Sequence, residues 1–433
     1  MPTVAFYTLG CKLNQYETEA MRRQLEGAGY RVVDFGQPAD VAIINTCTVT
    51  HRSDQRCRQM IRRAARREAG CVVVTGCYAQ RDAESLSRIP GVDLILGNRE
   101  KGNILEYLRA DRTRCVAVAP MNSQRVFQEM EVADFAHHTR AFIKIQDGCD
   151  GDCTYCVVPS VRGRSRSRPI DRIIAQADAF IHSGYRELVL TGVNLGRYSD
   201  PQHPERDLAY LLQQLQSNRR LGRLRLSSIE PTDFTDRLIE VLGQSDKICR
   251  HLHIPMQSGN DDILETMNRP YDSASFSRLI GKLSDAVPGI AIGVDVIVGF
   301  PGETDRQFEA TRDLLQELPI CRFHVFSFSR RRGTPAAEMP EQVPAEVCRL
   351  RSQRLRSLSG QKFQAFISAF QDHRLTVLTE KRRDRQTGLL TGLSDNYIRV
   401  LAEGSDRDMN RLLPMVIRRV EGDRAWGKMS TRE

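Results

Sequence analysis

The chain has 433 residues, of which 40% are hydrophobic and 27% charged, the balance of a globular protein with two or three domains. Its longest apolar stretch, 290–300, is too short to cross a bilayer and contains Gly293 and Asp295, which excludes a membrane-spanning helix there. The formal net charge is +9, and the segment from Pro340 onward holds 18 basic and 12 acidic residues, but total charge alone does not decide between a solvated surface and contacts with phosphate. The twelve cysteines and the absence of a recognisable secretory signal predict a reducing, cytoplasmic location.

Residues 1–120 alternate between apolar runs and amphipathic stretches. The runs 4–7, 41–44 and 72–74 are bounded by turn residues and predict buried strands. The stretches 16–28 and 53–68 have helical periodicity. Alternation of strand and helix predicts a parallel α/β domain at the amino terminus.

Each of the three predicted strands is closely followed by a cysteine. Cys11, Cys47 and Cys77 therefore lie in loops that leave the carboxyl ends of strands, the edge at which parallel sheets form their sites. Loops far apart in sequence can bring the three sulfurs together at that edge. The alternative is three unrelated buried cysteines, since cysteine is among the most buried residue types.

A second group of three cysteines follows the predicted strand 141–145, which comes after a polar linker at 121–139. Cys149, Cys153 and Cys156 are spaced C-x3-C-x2-C. Three thiolates on one short loop can hold three irons of a four-iron cluster and leave the fourth iron open to an external molecule, whereas electron carriers close the cluster with four cysteines. The alternative is a zinc loop with a distant fourth ligand.

The rest of the chain divides into two patterns. Strand-like runs at 187–191, 224–228, 251–254, 292–298 and 321–326 alternate with helical stretches, and together with 141–145 they predict an open, partial (βα)6 barrel. A long helix is predicted at 344–369. Short strands separated by turns then predict a small all-β, OB-like module.

Several motifs resemble those of the radical S-adenosylmethionine (SAM) methylthiotransferases. The loop 148–156 is similar to the SAM-cluster signature of that superfamily, with Tyr155 at its aromatic position. The motifs around the other cysteines, 10–18, 45–50 and 75–80, and the segment 190–196 also match. The resemblance covers essentially the whole chain, including a carboxyl-terminal TRAM module. The motif 12–16 favours the branch that modifies threonylcarbamoyladenosine in transfer RNA.

The resemblance implies two [4Fe-4S] clusters, one held by Cys149, Cys153 and Cys156 and an auxiliary one held by Cys11, Cys47 and Cys77. It implies that an unactivated C–H at adenine C2 is replaced by C–S–CH3, with SAM as both methyl donor and radical source. No side-chain base can remove that hydrogen, so the hard chemistry must come from cofactors. The adenosine is the one at position 37, next to the anticodon.

Further SAM-binding residues are predicted at the ends of the barrel strands. These are Tyr155, Gly192, Asn194, Glu230, Gln257, Ser258 and Asp295. The alternative for each is a turn or cap residue. We interpret His251 and His253 as satisfied polar groups of one strand rather than ligands.

The basic residues near the last barrel strand and in the tail predict phosphate contacts with an anticodon stem-loop. They are Arg330, Arg331, Arg332, Arg374, Lys381, Arg382 and Arg383. The arginine-rich helix 53–68 is a second candidate. The alternative in both places is a solvated basic surface.

We predict domains at 1–120, 135–368 and 371–433, and a reducing electron donor of the flavodoxin or ferredoxin kind. The target could instead be isopentenyladenosine in transfer RNA or an aspartate of a ribosomal protein. A non-catalytic RNA-binding protein with structural zinc and a plain electron carrier are the alternatives from other classes. The sequence does not indicate the oligomeric state.

Overall fold

A computed structural model describes residues 1–66, 70–110, 114–135 and 138–430. The secondary structure forms an amino-terminal parallel sheet with its helices, a partial barrel, and a small closed β-barrel. In the described part of the chain, no helix is both long enough and apolar enough to span a membrane.

The amino-terminal sheet has six parallel strands in the order β2-β1-β3-β4-β5-β6. Strands β1, β3 and β4 are central because their apolar runs are covered on both faces. The strands are β1 (Thr3–Thr8), β2 (Arg31–Val33), β3 (Val41–Thr46), β4 (Cys71–Gly76), β5 (Leu94–Leu96) and β6 (Cys115–Ala117). The helices of this part are α1 (Lys12–Gly27), α2 (His51–Ala65), α3 (Cys77–Arg81), α4 (Ala83–Ser87) and α5 (Ile104–Arg109).

Within the segment predicted as a polar linker, 121–139, residues 136 and 137 lie outside the described residues, and the part 121–135 is packed against both neighbouring sheets. Met130, Val132 and Phe135 are buried in the same hydrophobic core that contains Val4 of the first sheet and Phe142 of the barrel. Tyr16 donates a hydrogen bond to the Met130 carbonyl. The prediction of a polar linker is wrong because single apolar anchors without periodicity leave no pattern in the sequence.

The barrel consists of six parallel strands in two sheets, β11-β10-β7 and β12-β13-β14. Single parallel bridges, Leu224 to Ile248 and Ser228 to His253, join β11 to the chain at β12 and make the arc continuous. The strands are β7 (Ala141–Lys144), β10 (Glu187–Thr191), β11 (Arg223–Leu226), β12 (His251–His253), β13 (Ala291–Val298) and β14 (Arg322–Ser327). A two-stranded antiparallel ladder, β8 (Gln146–Asp147) with β9 (Arg166–Ser167), follows β7.

Helices follow the strands and cover the outer face of the arc. They are α6 (Val158–Arg162), α7 (Ile170–His182), α8 (Leu208–Gln216), α9 (Asp236–Gln244), α10 (Asp261–Thr266), α11 (Ser273–Ala286), α12 (Asp305–Glu317), α13 (Pro335–Glu338) and α14 (Ala345–Ser368). Leu188, Leu224 and Val294 are fully buried beneath this layer. Because side chains alternate along a strand, the residues between these positions face the barrel interior.

The carboxyl-terminal module is a closed five-stranded barrel in the order β15-β16-β17-β19-β18. Its strands are β15 (Arg374–Arg383), β16 (Leu390–Ser394), β17 (Arg399–Ala402), β18 (Leu412–Glu421) and β19 (Arg424–Met429). Closure removes exposed strand edges, which stabilises so small a module. Val377, Val400 and Ile417 form its core.

A charged joint fastens this module to the amino ends of the barrel strands. Glu187 is fully buried and accepts hydrogen bonds from Arg223 and Arg225. Both arginines also donate to backbone carbonyls of the module, Arg223 to Leu393 and Arg225 to Ser394. The two bodies are therefore held by buried charge-assisted hydrogen bonds.

The predicted α/β fold class is confirmed, with an amino-terminal parallel sheet, an open six-stranded partial barrel and an OB-like β-module. The predicted strands and helices recur with bounds shifted by a few residues. The short strands β2, β5, β6, β8 and β9, and the last strand β19, were not predicted.

Candidate functional site

The auxiliary triad, which we define as Cys11, Cys47 and Cys77, lies at the carboxyl edge of the amino-terminal sheet. Cys11 caps α1, Cys47 follows β3, and Cys77 begins α3. Gly10 and Gly76 have positive φ, and a Cβ on Gly10 would lie 2.9 Å from the Cβ of Cys47. The glycine turns therefore allow the three loops to approach as the sequence predicted.

A buried charge network lies beside the auxiliary triad. Four cations, Lys101, Lys144, Arg162 and Arg166, surround two carboxylates, Glu17 and Asp147. Counted formally, these six groups carry an excess of two positive charges, and a buried anion beside them would be stabilised. An anionic iron–sulfur cluster on three thiolates is such an anion.

Arg162 connects the network to the triad. Its Nε donates to the Cys77 Sγ at 3.3 Å, and its Nη2 donates to the Asn14 Oδ1 at 2.7 Å. Asn98 donates to the same Cys77 sulfur at 3.7 Å. Hydrogen bonds to a ligating sulfur orient it and tune the metal that it holds.

The SAM-loop triad, which we define as Cys149, Cys153 and Cys156, lies on the loop after β8. Backbone N–H groups of Gly151 and Val158 donate to the sulfurs of Cys149 and Cys156 at 3.3 and 3.4 Å. All three side chains are partly accessible. Backbone hydrogen bonds thus position two of the three sulfurs on this loop.

A five-residue helix links the two triads. Helix α6 begins two residues after Cys156 and ends at Arg162, whose guanidinium contacts Cys77. Five helical residues span about 7 Å, so α6 holds the two triads close to each other.

The sulfur spacing does not favour a mononuclear zinc site. Around one zinc the ligand sulfurs stand about 3.8 Å apart, given Zn–S bonds of about 2.3 Å. Among the described residues, the group of three or more metal-binding side chains whose ligand atoms all lie within 4.8 Å is His253, Asp295 and His324, and neither cysteine triad meets that limit. A cluster, which separates its ligands more widely, fits both triads better.

The protonation of the thiols is consistent with metal binding. Burial is the main cause that raises the pKa of Cys47 to about 11 and that of Cys156 to about 12. Burial also raises the pKa of Cys11, which sits in a recess although its surface reaches solvent, and Arg162 partly offsets the rise. The thiols of Cys11, Cys47 and Cys156 are therefore neutral without a metal, and metal ions displace their protons on binding.

Gly192 and Asn194, predicted to bind SAM, lie on a turn fixed by Gln146. The Gln146 Oε1 accepts hydrogen bonds from the backbone of Val193 and Asn194 at 2.8 and 2.9 Å, and its Nε2 donates to the Gly148 carbonyl. A Cβ on Gly192 would lie 2.9 Å from that Oε1. Gln146 therefore ties the SAM loop to the end of β10.

Two buried polar atoms without a partner in the described part of the chain lie at this end of the barrel. The Asn194 Oδ1 and the Ser227 Oγ are buried and have no hydrogen-bond partner within the described residues. Buried polar atoms without a partner are rare in native proteins and indicate a missing ligand or water. The atoms lie at the ends of neighbouring strands, where the amino group of SAM could bind.

Glu230 and Tyr155 both support the SAM loop, the first through an arginine and the second through ring packing. Glu230 is paired with Arg269, whose Nη1 donates to the Cys153 Sγ at 3.2 Å. Tyr155 packs edge-on against Phe300, with ring centroids 6.4 Å apart. Glu230 thus positions an arginine against a cluster ligand, and Tyr155 anchors the loop to the barrel.

The other three predicted SAM contacts take part in internal bonding. Gln257 has a positive φ and pairs through its backbone with Asp295 and Ile297. Ser258 is buried, and its Oγ accepts from the Asn260 N–H, as a turn residue does. Asp295 lies between His253 and His324.

The predicted RNA-binding residues divide by exposure. Arg330, Arg332, Arg374, Lys381 and Arg382 are exposed, although Arg330 also donates to the Ala337 carbonyl. Arg331 is only 1% exposed and donates to Asp54 and Thr48 of the first domain, so its predicted phosphate contact is wrong. Arg383 is half-buried and holds a turn through Asp406 and the carbonyls of Gly388 and Gly404, which occupies its guanidinium.

The exposed face of α2 offers a second basic surface. Its arginines Arg52, Arg56, Arg62 and Arg63 are exposed, whereas Cys57, Met60 and Ile61 pack inward. Thr50 caps the helix by accepting from the Ser53 N–H. This surface lies beside the auxiliary triad, because α2 starts four residues after Cys47.

Sequence reasoning missed Gln146, Arg162 and Arg269, which organise the two triads. Arg162 and Arg269 lie 85 and 116 residues from the cysteines that they contact. The one local signal was the nearness of Gln146 and Arg162 to the SAM loop.

Two family models match the chain. Residues 3–97 match the model described as "Uncharacterized protein family UPF0004", and residues 143–315 match the "Radical SAM superfamily". A "Threonylcarbamoyladenosine tRNA methylthiotransferase MtaB" from Bacillus subtilis is 41% identical over 96% of this chain and 94% of its own length. A "tRNA-2-methylthio-N(6)-dimethylallyladenosine synthase" from Cereibacter sphaeroides is 36% identical over 90% of this chain and 89% of its own length.

A solved structure supports the fold. The radical S-adenosylmethionine methyltransferase TsrM from Kitasatospora setae, with cobalamin and a [4Fe-4S] cluster bound, has a TM-score of 0.58 and 17% identity. The alignment covers 78% of this chain and 77% of that one. At this identity the likeness concerns the architecture alone.

Proposed function

This chain belongs to the radical SAM tRNA methylthiotransferases, and from that premise we propose that it converts N6-threonylcarbamoyladenosine at position 37 of transfer RNA to its 2-methylthio derivative. The Bacillus subtilis relative, aligned over almost the full length of both chains, carries that activity in its name. The Cereibacter sphaeroides relative acts on dimethylallyladenosine, which leaves that nucleoside as the second candidate.

One observation carries the proposal: the two cysteine triads are joined by α6, which begins beside Cys156 and whose Arg162 contacts Cys77. We assign one [4Fe-4S] cluster to Cys149, Cys153 and Cys156 and the other to Cys11, Cys47 and Cys77. When bound, the clusters and SAM supply the radical, the sulfur and the methyl group for C–H to C–S–CH3 conversion. A single SAM cluster would require one triad only.

The chain's own residues orient the cofactors. We assign Asn194 and Ser227 to the amino group of SAM, since their oxygens lack partners within the described residues. Gly192 leaves room beside Gln146, while Tyr155, Glu230 and Ser258 fix the surrounding loops. Gln257 follows β12 on the strained turn that borders the same site.

The substrate is a transfer RNA, and we propose that its anticodon stem-loop is held by exposed cations. Arg374, Lys381 and Arg382 of β15, Arg330 and Arg332 after β14, and the arginines of α2 are the proposed phosphate contacts. The target base must leave the base stack of the RNA loop to reach the two cysteine triads.

Three further assignments accompany this function. We propose domains at 1–120, 135–368 and 371–433, with the last acting as the TRAM module. A flavodoxin- or ferredoxin-like protein would donate the electron for SAM cleavage. All twelve cysteines are free thiols, which suits a reducing cytoplasm.

The test replaces each triad separately. We expect about eight irons per reconstituted chain and about half that number after either triple alanine replacement. The variant Cys149→Ala, Cys153→Ala, Cys156→Ala should lose deoxyadenosine formation. The variant Cys11→Ala, Cys47→Ala, Cys77→Ala should keep deoxyadenosine formation and lose the methylthio nucleoside.

The control is Cys115→Ala, which removes a half-buried cysteine on the outer strand β6, outside both triads. This variant should have the same iron content and the same yield of methylthio nucleoside as the wild-type protein. Mass spectrometry of nucleosides identifies the product. If the product is methylthiolated isopentenyladenosine, which is the same nucleoside as dimethylallyladenosine, the second candidate function replaces the first. If the protein contains zinc and no iron, both candidate functions are excluded.

A further inference from the structure

Three titratable side chains form a cluster inside the barrel, which we call the interior triad: His253, Asp295 and His324. The Asp295 Oδ1 lies 2.9 Å from the His253 Nε2 and 3.3 Å from the His324 Nδ1. The two imidazole rings stack with centroids 4.8 Å apart and planes at 27°. One carboxylate thus lies within hydrogen-bond distance of two stacked imidazole rings.

The register of the strands creates this arrangement. Asp295 on β13 is directly opposite His324 on β14, and His253 on β12 is opposite Gly293. The missing side chain at Gly293 leaves space for His253, since a Cβ there would lie 3.3 Å from its Nδ1. His253 can therefore reach across to Asp295.

The interior triad faces the barrel interior and not the helices. Val294, Val296 and Val298 are fully buried beneath the helical layer, so Asp295 points to the other face of β13. Asp295 lies three residues before the end of β13, about 10 Å below the edge that carries the cysteine loops. The side chain of His324 is 55% exposed and is the accessible member.

Hydrogen bonding fixes which atom of His324 is available. Burial opposes ionisation of Asp295, but hydrogen bonds from His253 and His324 outweigh it and lower its pKa to about 2. Asp295 therefore remains a carboxylate and takes the Nδ1–H of His324. The Nε2 of His324 is then not used by Asp295, and it donates to an anion when the imidazole carries protons on both nitrogens.

The interior towards the amino ends of the strands carries excess positive charge. Arg140, Arg223 and Arg225 surround the carboxylate of Glu187. Burial raises the pKa of Tyr397, yet Arg140, Lys12 and Arg225 outweigh burial and lower it. An anionic group would be stabilised in this region, and an apolar group would not.

We propose that His324, held by Asp295 and His253, binds the carboxylate of the amino-acid arm on N6 of the substrate adenosine. The inference rests on the proposed function. Adenine presents C2 and N6 in different directions, so a base with C2 at the cysteine-lined edge directs its N6 arm inward. His324 then distinguishes an anionic arm from an apolar one.

The test uses two synthetic anticodon stem-loops that differ in one group, the free carboxylate of the threonylcarbamoyl arm or its methyl ester. The variants are His324→Phe, which keeps a ring, and His324→Gln, which keeps a donor. The control is Arg322→Gln, two residues earlier on β14, where the guanidinium lies over Phe363 of α14. Rates of methylthiolation are measured over a range of RNA concentrations.

The wild-type protein should prefer the free acid. His324→Phe should raise KM for the free acid by about 10- to 100-fold, the worth of a charge-assisted hydrogen bond, and should leave KM for the ester nearly unchanged. His324→Gln should recover part of the loss, and Arg322→Gln should behave as wild type. The ratio of the two KM values is the deciding quantity.

Three outcomes would overturn the inference. Equal discrimination in His324→Phe and wild type would exclude His324 as the arm's contact. A parallel fall in RNA-independent SAM cleavage would assign His324 to SAM. A stoichiometric metal beyond the cluster irons that is lost in His324→Gln would make the interior triad a metal site. Failure of the wild type to modify either stem-loop would instead contradict the proposed function.

Discussion

Each cysteine triad receives one hydrogen bond from a buried arginine. Arg162 donates to Cys77, and Arg269 donates to Cys153. A guanidinium cannot lose its proton in a protein, so each contact supplies a permanent positive charge to a ligating sulfur. The two arginines balance negative charge that three thiolates and a cluster would bring.

Replacement of either arginine should affect one triad selectively. We expect Arg162→Gln to lower the yield of methylthio nucleoside by about 10- to 100-fold, the usual cost of removing a partner of a metal ligand. Deoxyadenosine formation should persist, because the SAM-loop triad keeps its own contacts. Iron content, deoxyadenosine and methylthio nucleoside are measured together.

The control is Arg278→Gln, an exposed arginine on α11. Arg269→Gln is the reciprocal variant and should reduce deoxyadenosine formation directly. If both variants lost the two products in the same proportion, the contacts would be general supports of the fold and not partners of separate clusters.

The sequence predicted the cysteines but not their supporting residues. A cysteine after each of several strands is a periodic signal, because chain topology brings strand ends to one edge. Arg162, Arg269 and Gln146 reach the site through long side chains from turns, and no pattern encodes that reach. Arg331 was misassigned for the converse reason: a run of three arginines does not reveal that the middle one is buried against Asp54.

Two elements carry the exposed cations, α2 and β15. Helix α2 presents its arginines to solvent because its apolar stripe packs on the sheet. Strand β15 presents Arg374, Lys381 and Arg382 on the surface of a closed barrel. Both are rigid surfaces, so each can be tested by reversing charges without removing a core residue.

Charge reversal should separate the two surfaces by the salt dependence of RNA binding. Removing one phosphate-binding cation reduces the slope of log K against log salt by about 0.7 to 0.9. We expect Arg374→Glu with Arg382→Glu to flatten the slope by about 1.5 and to weaken binding at low salt. Binding is measured by titration of labelled anticodon stem-loop at several salt concentrations.

Arg56→Glu with Arg62→Glu on α2 is the matched double variant, and Arg278→Glu is the control outside both surfaces. An unchanged slope for the β15 variant, together with a flattened slope for the α2 variant, would move the phosphate-binding surface to α2. Deletion of the whole β-module is less informative, because it would uncover the buried arginines of the joint.

At the scale of the molecule, Glu187 holds the barrel and the β-module together. Its Oε2 and Oε1 lie 2.6 and 2.7 Å from the Nε atoms of Arg223 and Arg225, and both arginines bind the module's backbone. Burial opposes its ionisation, but Arg225 and Arg223 outweigh burial and lower the pKa of Glu187 to about 2. The carboxylate is therefore charged wherever the protein is folded near neutral pH.

Glu187→Gln should destabilise the protein by about 3 to 5 kcal/mol at pH 7, because two buried guanidinium groups lose their counter-charge. The folded pKa is below the unfolded value, so this stabilisation is complete above about pH 4.5 and is lost as the pH falls towards 2. The difference between wild type and variant in urea unfolding should shrink over that range. Glu240→Gln, at an exposed position of α9, is the control, and a difference independent of pH would contradict the assignment.

The large-scale fold was predictable because its strands are long and apolar. Strands β3 and β4 carry continuous buried runs, β1 and β13 carry shorter ones, and the fold class followed from their alternation with helices. Strands β2, β5 and β6 have three residues each, too few for a pattern. The packing of Met130 and Phe135 depends on tertiary contacts alone.

The joint between the barrel and the β-module fixes the distance between the surface of the module and the site at the barrel. Tyr397 of the module stacks on His251 at 4.4 Å and lies beneath Arg225, so the module is seated against the barrel itself. The distance between the phosphate-binding surface of the module and the place where the target base reacts is then fixed. The enzyme would select its adenosine by the distance of that nucleotide from the bound stem. A stem longer by one base pair would bring a neighbouring base to the cysteine triads.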